Sequence, residues 1–266
     1  MSRDRPLAVV VPMEGEFLPY ARLLGEPRRL DDTGPWELYE AQTAGRRVLL
    51  VVCGPGPVNA AAATERLIAH HEVAAVLHGG SAGAHDPDLL PGDVVLGDRY
   101  VIHAPLSVRR AREARGLHPS LIRLRRAGAH VSLPHIEADP ALLSLAERVA
   151  AEQLAALGPW DAPGWPPAVP PRPARAVTAT VASADAWTVD EGELRELYEH
   201  FGAACEDMES AYVAQVCALH DLPFLAVRAI SDNEAACQLT PADVPVAIAA
   251  AGDRAARIIV AIARAL

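Results

Sequence analysis

The chain has 266 residues, 51% apolar and 22% charged, which suits one large α/β domain or two small ones with a sizeable core. Its 34 acidic against 24 basic side chains leave a formal charge of -10, which disfavours a phosphate-binding nucleic-acid surface. Cys53, Cys205, Cys217 and Cys237 show no C-x-x-C or metal-type spacing, and buried free thiols in a reducing compartment are expected.

In chain order, the β-branched run Leu7–Val11 predicts a strand buried on both faces, followed by a helix over Glu14–Leu24. Trp36–Ala41 alternates and Arg46–Val52 is apolar, with Gly45 between them as a hairpin-like turn. Cys53-Gly54-Pro55-Gly56-Pro57 breaks the pattern and opens the Ala-rich helix Val58–His71. Val73–Leu77 reads as a strand stopped by His78-Gly79-Gly80-Ser81-Ala82-Gly83, and Asp93–Ile102 as the next strand. From Ala104 to about Pro134 neither period holds, and the basic cluster from Arg109 to Arg126 reads as a solvated loop. Leu142–Leu157 is helical, and the proline-rich stretch Gly158–Pro173 must be loop. Alternation resumes with a strand at Ala176–Ala182 and helices near Glu191–Phe201 and Glu209–His220. The strand Phe224–Ile230 and a closing helix Val244–Leu266 follow. The expected fold is one α/β domain over 1–266, a three-layer α/β/α sandwich on a central mixed twisted sheet, with an irregular excursion at about 104–173. The N-terminus is too short for a signal peptide before the first strand, and no apolar run approaches the roughly 18 residues of a membrane helix. A cytoplasmic protein without membrane contact is expected.

Three segments at strand ends carry the acids of one candidate site: Met13-Glu14-Gly15-Glu16, Asp207-Met208-Glu209 and Ala229-Ile230-Ser231-Asp232. Strand carboxyl ends are where open α/β sheets bind ligands. The turns Gly54-x-Gly56 and Gly79-Gly80-Ser81-Ala82-Gly83 match neither the dinucleotide nor the P-loop fingerprint, and each is either a steric bend or a ligand-cradling loop.

Taken in order, Met-Glu-x-Glu, Gly-x-Gly, Gly-Ser-Ala-Gly, Gly-Asp-Val-Val, Asp-Met-Glu-Ser and Arg-Ala-Ile-Ser-Asp resemble the purine nucleoside phosphorylase/uridine phosphorylase superfamily. The chain looks most like its 5'-methylthioadenosine/S-adenosylhomocysteine nucleosidases, from Leu7 to the last helix, with a poor match between Ala104 and Arg175. That resemblance implies a small-molecule nucleoside substrate, no cofactor or metal, and a homodimer. It implies that Glu16 activates water and that Asp232, beside Ser231, protonates the purine at N7. Glu209, with Asp207 and Met208, would hold the ribose, Trp187 would stack on the base, and Ser81, Ala82 and Gly83 would line sugar and base.

Ordinary structural roles compete with these. Glu16 also suits a first helical turn, Asp207 an N-cap, and Trp187 half-buried packing, while His78, His103, His118 and His135 lack metal spacing. Phosphorylases of the superfamily resemble one another in a Gly-Asp-Pro-x-Arg segment and an Arg before Gly-Ser-Cys-Gly. Here Pro12–Glu16 and His78 stand in those places, so water is favoured over phosphate. The expected activity is hydrolysis of an adenosine-type, 5'-modified purine nucleoside to base and pentose. A phosphate-dependent phosphorylase and a non-catalytic nucleoside binder are the alternatives. Pro241 replaces the family's aromatic near the last helix, and Arg109, Arg110 and Arg112 fall where the 5' group is usually covered, so that group stays open.

Overall fold

A computed structural model of the chain describes residues 4–30, 34–104, 118–157, 172–236 and 239–266. The first part runs β1 (Leu7–Val11), α1 (Glu14–Leu24), β2 (Arg28–Arg29), β3 (Glu37–Thr43), β4 (Arg46–Val52), α2 (Pro57–His70), β5 (Ala75–Ala84) and β6 (Val94–Ala104). Then come β7 (His118–Ser120), β8 (Ile122–Arg126), β9 (Ala129–Leu133), β10 (Ile136–Glu137) and α3 (Pro140–Leu157). The last part is β11 (Ala176–Ser183), α4 (Glu191–Phe201), β12 (Ala203–Asp207), α5 (Ser210–Leu219), β13 (Phe224–Asp232) and α6 (Val244–Ala265).

β1 is buried along its whole length, as a strand covered on both faces must be. It lies parallel between β4 and β5, and the β3–β4 hairpin turns at Ala44 and Gly45, both at positive φ. The sheet is mixed. β5 runs parallel to β1 and β13 but antiparallel to β12, while β6 runs parallel to β11 and antiparallel to β13. Because β11 also pairs with β12, the strands β5, β13, β6, β11 and β12 close on one another. α1 and α3 pack on α6, whereas α2 packs on α5, which gives the expected helical layers about the sheet.

Two expectations change. The glycine-rich stretch does not stop β5, which continues through it to Ala84. Its glycines make room for neighbouring side chains: a Cβ on Gly79 would collide with Tyr20 Oη and Ile259 Cδ1. One on Gly80 would lie 2.6 Å from an Arg228 nitrogen and 2.9 Å from Glu16 Oε1. The absence of a side chain erases the strand's periodic signal while making the strand possible. Secondly, part of the irregular excursion is a regular β8–β9 hairpin, turned by Ala127 and Gly128 at positive φ. The predicted loop at 158–173 lies outside the described residues up to 171, as do Arg109, Arg110, Arg112 and Cys237. The chain rejoins the sheet where buried Asp93 accepts from Arg172 Nη1 at 2.9 Å and from Arg175 N at 3.0 Å. Cys53, Cys205 and Cys217 are buried free thiols.

Replacing Gly79 by Ala overpacks a closed core, at a cost of about 1–3 kcal/mol. Calorimetry of Gly79→Ala is expected to show a Tm lowered by about 2–4 °C per kcal/mol, and an unchanged Tm would contradict the packing role.

Candidate active site

Glu16, Ser81, Ala82, Gly83, Trp187, Asp207, Met208, Glu209, Ser231 and Asp232 all line one pocket, together with Pro12, Met13 and Arg228. The ten candidate site residues named from the sequence are therefore brought to a single place. The acids arrive from separate elements: Glu16 from the first turn of α1, Glu209 from the junction before α5, Asp232 from the last position of β13.

Glu16 is buried against α6, where Gly252 permits the approach, since a Cβ there would lie 3.0 Å from Glu16 Cγ. Its Oε1 accepts from Ser81 N at 2.7 Å and from Ser81 Oγ at 2.9 Å, while Oε2 has no partner among the described residues. Burial raises its pKa, although the Ser81 hydrogen bonds and the Arg228 charge oppose the rise.

Arg228, on β13, is wholly buried in the midst of the acids. Its Nε lies 2.7 Å from Asp207 Oδ2 and 3.1 Å from Ser210 Oγ, and its Nη2 lies 3.7 Å from Glu209 Oε2. Burial works against its charge, but Asp207, Glu209 and Glu16 more than compensate and hold the guanidinium protonated. A second guanidinium nitrogen contact goes to His78 Nε2. The His78 Nδ1–H donates to Val10 O at 2.8 Å, so Nε2 is the acceptor; burial and the Arg228 charge press its pKa down to about 3 and keep the ring neutral. His78, Asp207 and Glu209 present ligand atoms within 4.8 Å of one another, but Arg228 contacts all three and supplies the positive charge there.

Asp207 caps α5: its Oδ1 accepts from Ser183 Oγ at 2.5 Å and from the amides of Glu209 and Ser210 at 3.0 Å each. Burial pushes its pKa up, yet the Arg228 charge and the Ser183 and Ser210 hydrogen bonds hold it below the ordinary carboxylate value. Although Asp207 lines the pocket, this partner set makes it an anchor for Arg228 and α5. Glu209 Oε1 accepts from Gly56 N at 2.7 Å, so the Gly54-x-Gly56 turn spends an amide on a side chain of the site. Burial drives the Glu209 pKa up to about 7, opposed by Arg228 and reinforced by Asp207.

Asp232 Oδ1 accepts from Ser231 Oγ at 2.5 Å, and Oδ2 lies 3.1 Å from where a Gly83 Cβ would stand. Burial raises its pKa, with the carboxylates of Glu234 and Glu206 adding to the rise. Trp187 lines the pocket and is 55% exposed, and Pro241 is exposed while α6 gives the pocket Ile248 instead.

Sequence reading missed Arg228 as the organiser, His78 as its neutral support, and a further buried group at the pocket wall, Glu206 with His85. An arginine inside an otherwise apolar strand, Phe-Leu-Ala-Val-Arg-Ala-Ile, was the available signal for the first.

The folded-state pKa of Glu209 lies above its unfolded value, so its contribution to stability is complete below about pH 4.5 and is lost as pH rises through about 7. Glu209→Gln, which mimics the protonated form, is therefore expected to gain stability relative to the parent chain between those pH values. Thermal unfolding across that range checks this, and a pH-independent difference contradicts it.

A model of the phosphorylase superfamily matches residues 6–264. The 5'-methylthioadenosine/S-adenosylhomocysteine nucleosidase of Shewanella pealeana is 28% identical over 96% of this chain and 97% of its own length. That of Bacillus thuringiensis is 30% identical over 74% of this chain and 72% of its own. Among solved structures, the nucleosidase of Neisseria meningitidis bound to methylthio-immucillin-A superposes with a TM-score of 0.75 at 25% identity, covering 98% of this chain and 100% of that one. The futalosine hydrolase of Helicobacter pylori shares the fold, with a TM-score of 0.76 at 20% identity over 98% of each chain. The chain belongs to the phosphorylase superfamily, as a member of the 5'-methylthioadenosine/S-adenosylhomocysteine nucleosidase kind.

Proposed function

We propose that the chain hydrolyses the N-glycosidic bond of a 5'-modified purine nucleoside to free base and pentose, the reaction type for which its relatives are named. The observation that carries this reading is the convergence of three buried carboxyls, Glu16, Glu209 and Asp232, on the lining of one pocket, each with a raised pKa.

In this reading Glu16 Oε2, unpartnered and buried, takes the proton of the attacking water, while Ser81 fixes the other oxygen. Asp232, whose pKa burial raises, gives a proton to purine N7, so that a poor leaving group departs neutral. Glu209 Oε2 faces the ribose hydroxyls, and its negative charge gains interaction as the anomeric carbon becomes cationic. Trp187 stacks on the base and Met208 packs under the sugar. The dianion of phosphate finds carboxylates at the wall and an arginine already matched by Asp207 and Glu209, which supports water over phosphate. A cytoplasmic homodimer accompanies the proposal; no described helix is long and apolar enough to cross a membrane.

The test is incubation with 5'-modified and unmodified purine nucleosides, following free base by chromatography. Asp232→Asn and Glu16→Gln are each expected to lower kcat by about 10²–10⁴ while keeping the parent's melting curve. Near-parent turnover in either variant would overturn the role given to that acid.

A further inference from the structure

Glu206, on β12, is buried, lines the pocket and takes no part in the hydrolysis described above. It accepts from Thr188 N at 2.9 Å on Oε1 and from Thr188 Oγ1 at 2.8 Å on Oε2, and His103 Nε2 lies 2.7 Å from Oε2. Burial pushes its carboxyl upward, but His103 and His85 outweigh burial and hold it below the ordinary range, so it is an anion at neutral pH. As an ionised carboxylate it is acceptor-only, and it forms part of the pocket wall. His85 also lines the pocket and is buried, its Nε2 lying 3.6 Å from Glu206 Oε2 and its Nδ1 without a partner among the described residues.

Strand register places these groups relative to Asp232. Gly83 on β5 is paired with Glu206 on one side and with Asp232 on the other. β13 shifts register just before Asp232, yet the Asp232 carboxyl lies 3.1 Å from where a Gly83 Cβ would stand, and two strand spacings put the two outer backbones about 10 Å apart. Gly83 has no side chain, so the floor between the two acids is flat. His85 follows directly on the end of β5, in the middle column beyond Gly83, where it lines the same pocket and its amide donates to Ala204 O at 2.8 Å. Thr188, which holds Glu206, follows directly on Trp187, so the stacking residue and the acid are tied together.

We propose that Glu206 and His85 read the far edge of the base and extend the substrate class to 6-oxopurine nucleosides, which the site takes in preference to 6-aminopurine ones. This rests on the hydrolase reading, in which N7 meets Asp232. In a purine the 6-substituent lies next to N7 and N1 lies beyond it, so the 6-position faces His85 in the middle column and N1 faces Glu206 in the far one. An ionised carboxylate only accepts. A 6-oxopurine carries a hydrogen on N1 and an acceptor oxygen at C6, which suit Glu206 and a His85 N–H. Adenine presents a lone pair at N1, which the Glu206 carboxylate repels.

The experiment compares kcat/KM for 5'-methylthioinosine and 5'-methylthioadenosine with the parent chain and Glu206→Gln, alongside calorimetric binding of hypoxanthine and adenine. The parent is expected to favour the inosine-type substrate by at least about 10²-fold, since a site built on one hydrogen-bonding pattern rejects the analogue lacking it by up to roughly 10⁴–10⁵. Glu206→Gln, whose amide can donate to adenine N1, is expected to shrink that ratio at least about tenfold. Equal or adenosine-type preference in the parent, or an unchanged ratio in the variant, overturns the base assignment and leaves the hydrolase reading standing. Should Glu206→Gln not fold, the parent's ratio and its hypoxanthine-over-adenine binding decide. Absence of both cleavage and base binding overturns the two readings together.

Discussion

A fully buried guanidinium, that of Arg228, is the constraint about which this pocket is organised. Removing water from a charge costs several kcal/mol, and removing one partner of a buried pair costs about 3–5 kcal/mol, so the groups around Arg228 are not free to move apart. Asp207 is tied to it and to the start of α5; Glu209 is tied to it and to the Gly56 amide. His78 is kept neutral beside it and hydrogen-bonds β1. Three strands and two helix starts are thus registered against one cation.

The same constraint explains why β5 is glycine-rich where it passes the site. Gly80 gives way to Arg228 and Glu16, and Gly83 gives way to Asp232. With the sheet backbone this close, carboxyls enter a place poor in water, which raises the pKa of Glu16, Glu209 and Asp232. Asp207 is pulled the other way, because it sits against the positive charge of Arg228. One fold element thereby separates an ionised anchor from carboxyls suited to proton transfer.

Much of this was legible beforehand. The order of strand ends and acids pointed to one site, since Met13–Glu16 and Ser231–Asp232 lie at the ends of readable apolar strands, whereas the short β12 that carries Asp207 holds two acids in five residues and has no clear apolar run. The course of β5 was not legible, because glycines carry no hydrophobic period and their reason lies in Tyr20, Ile259, Arg228 and Glu16, distant in sequence. Asp207's double duty as cap and ion-pair partner was half visible: the cap is local, the arginine is not. Glu206 looked like an ordinary neighbour of Asp207 until strand pairing set it across Gly83 from Asp232. The β8–β9 hairpin carried a readable Ala127-Gly128 turn, hidden by the arginines just before it.

The central claim is that Glu16, Glu209 and Asp232 act on one bound nucleoside with water as the attacking group. It is tested most directly by running the reaction in ¹⁸O-labelled water with phosphate present and weighing the sugar product by mass spectrometry. The account predicts an unphosphorylated pentose carrying one ¹⁸O at the anomeric hydroxyl. A pentose 1-phosphate without the label would contradict it.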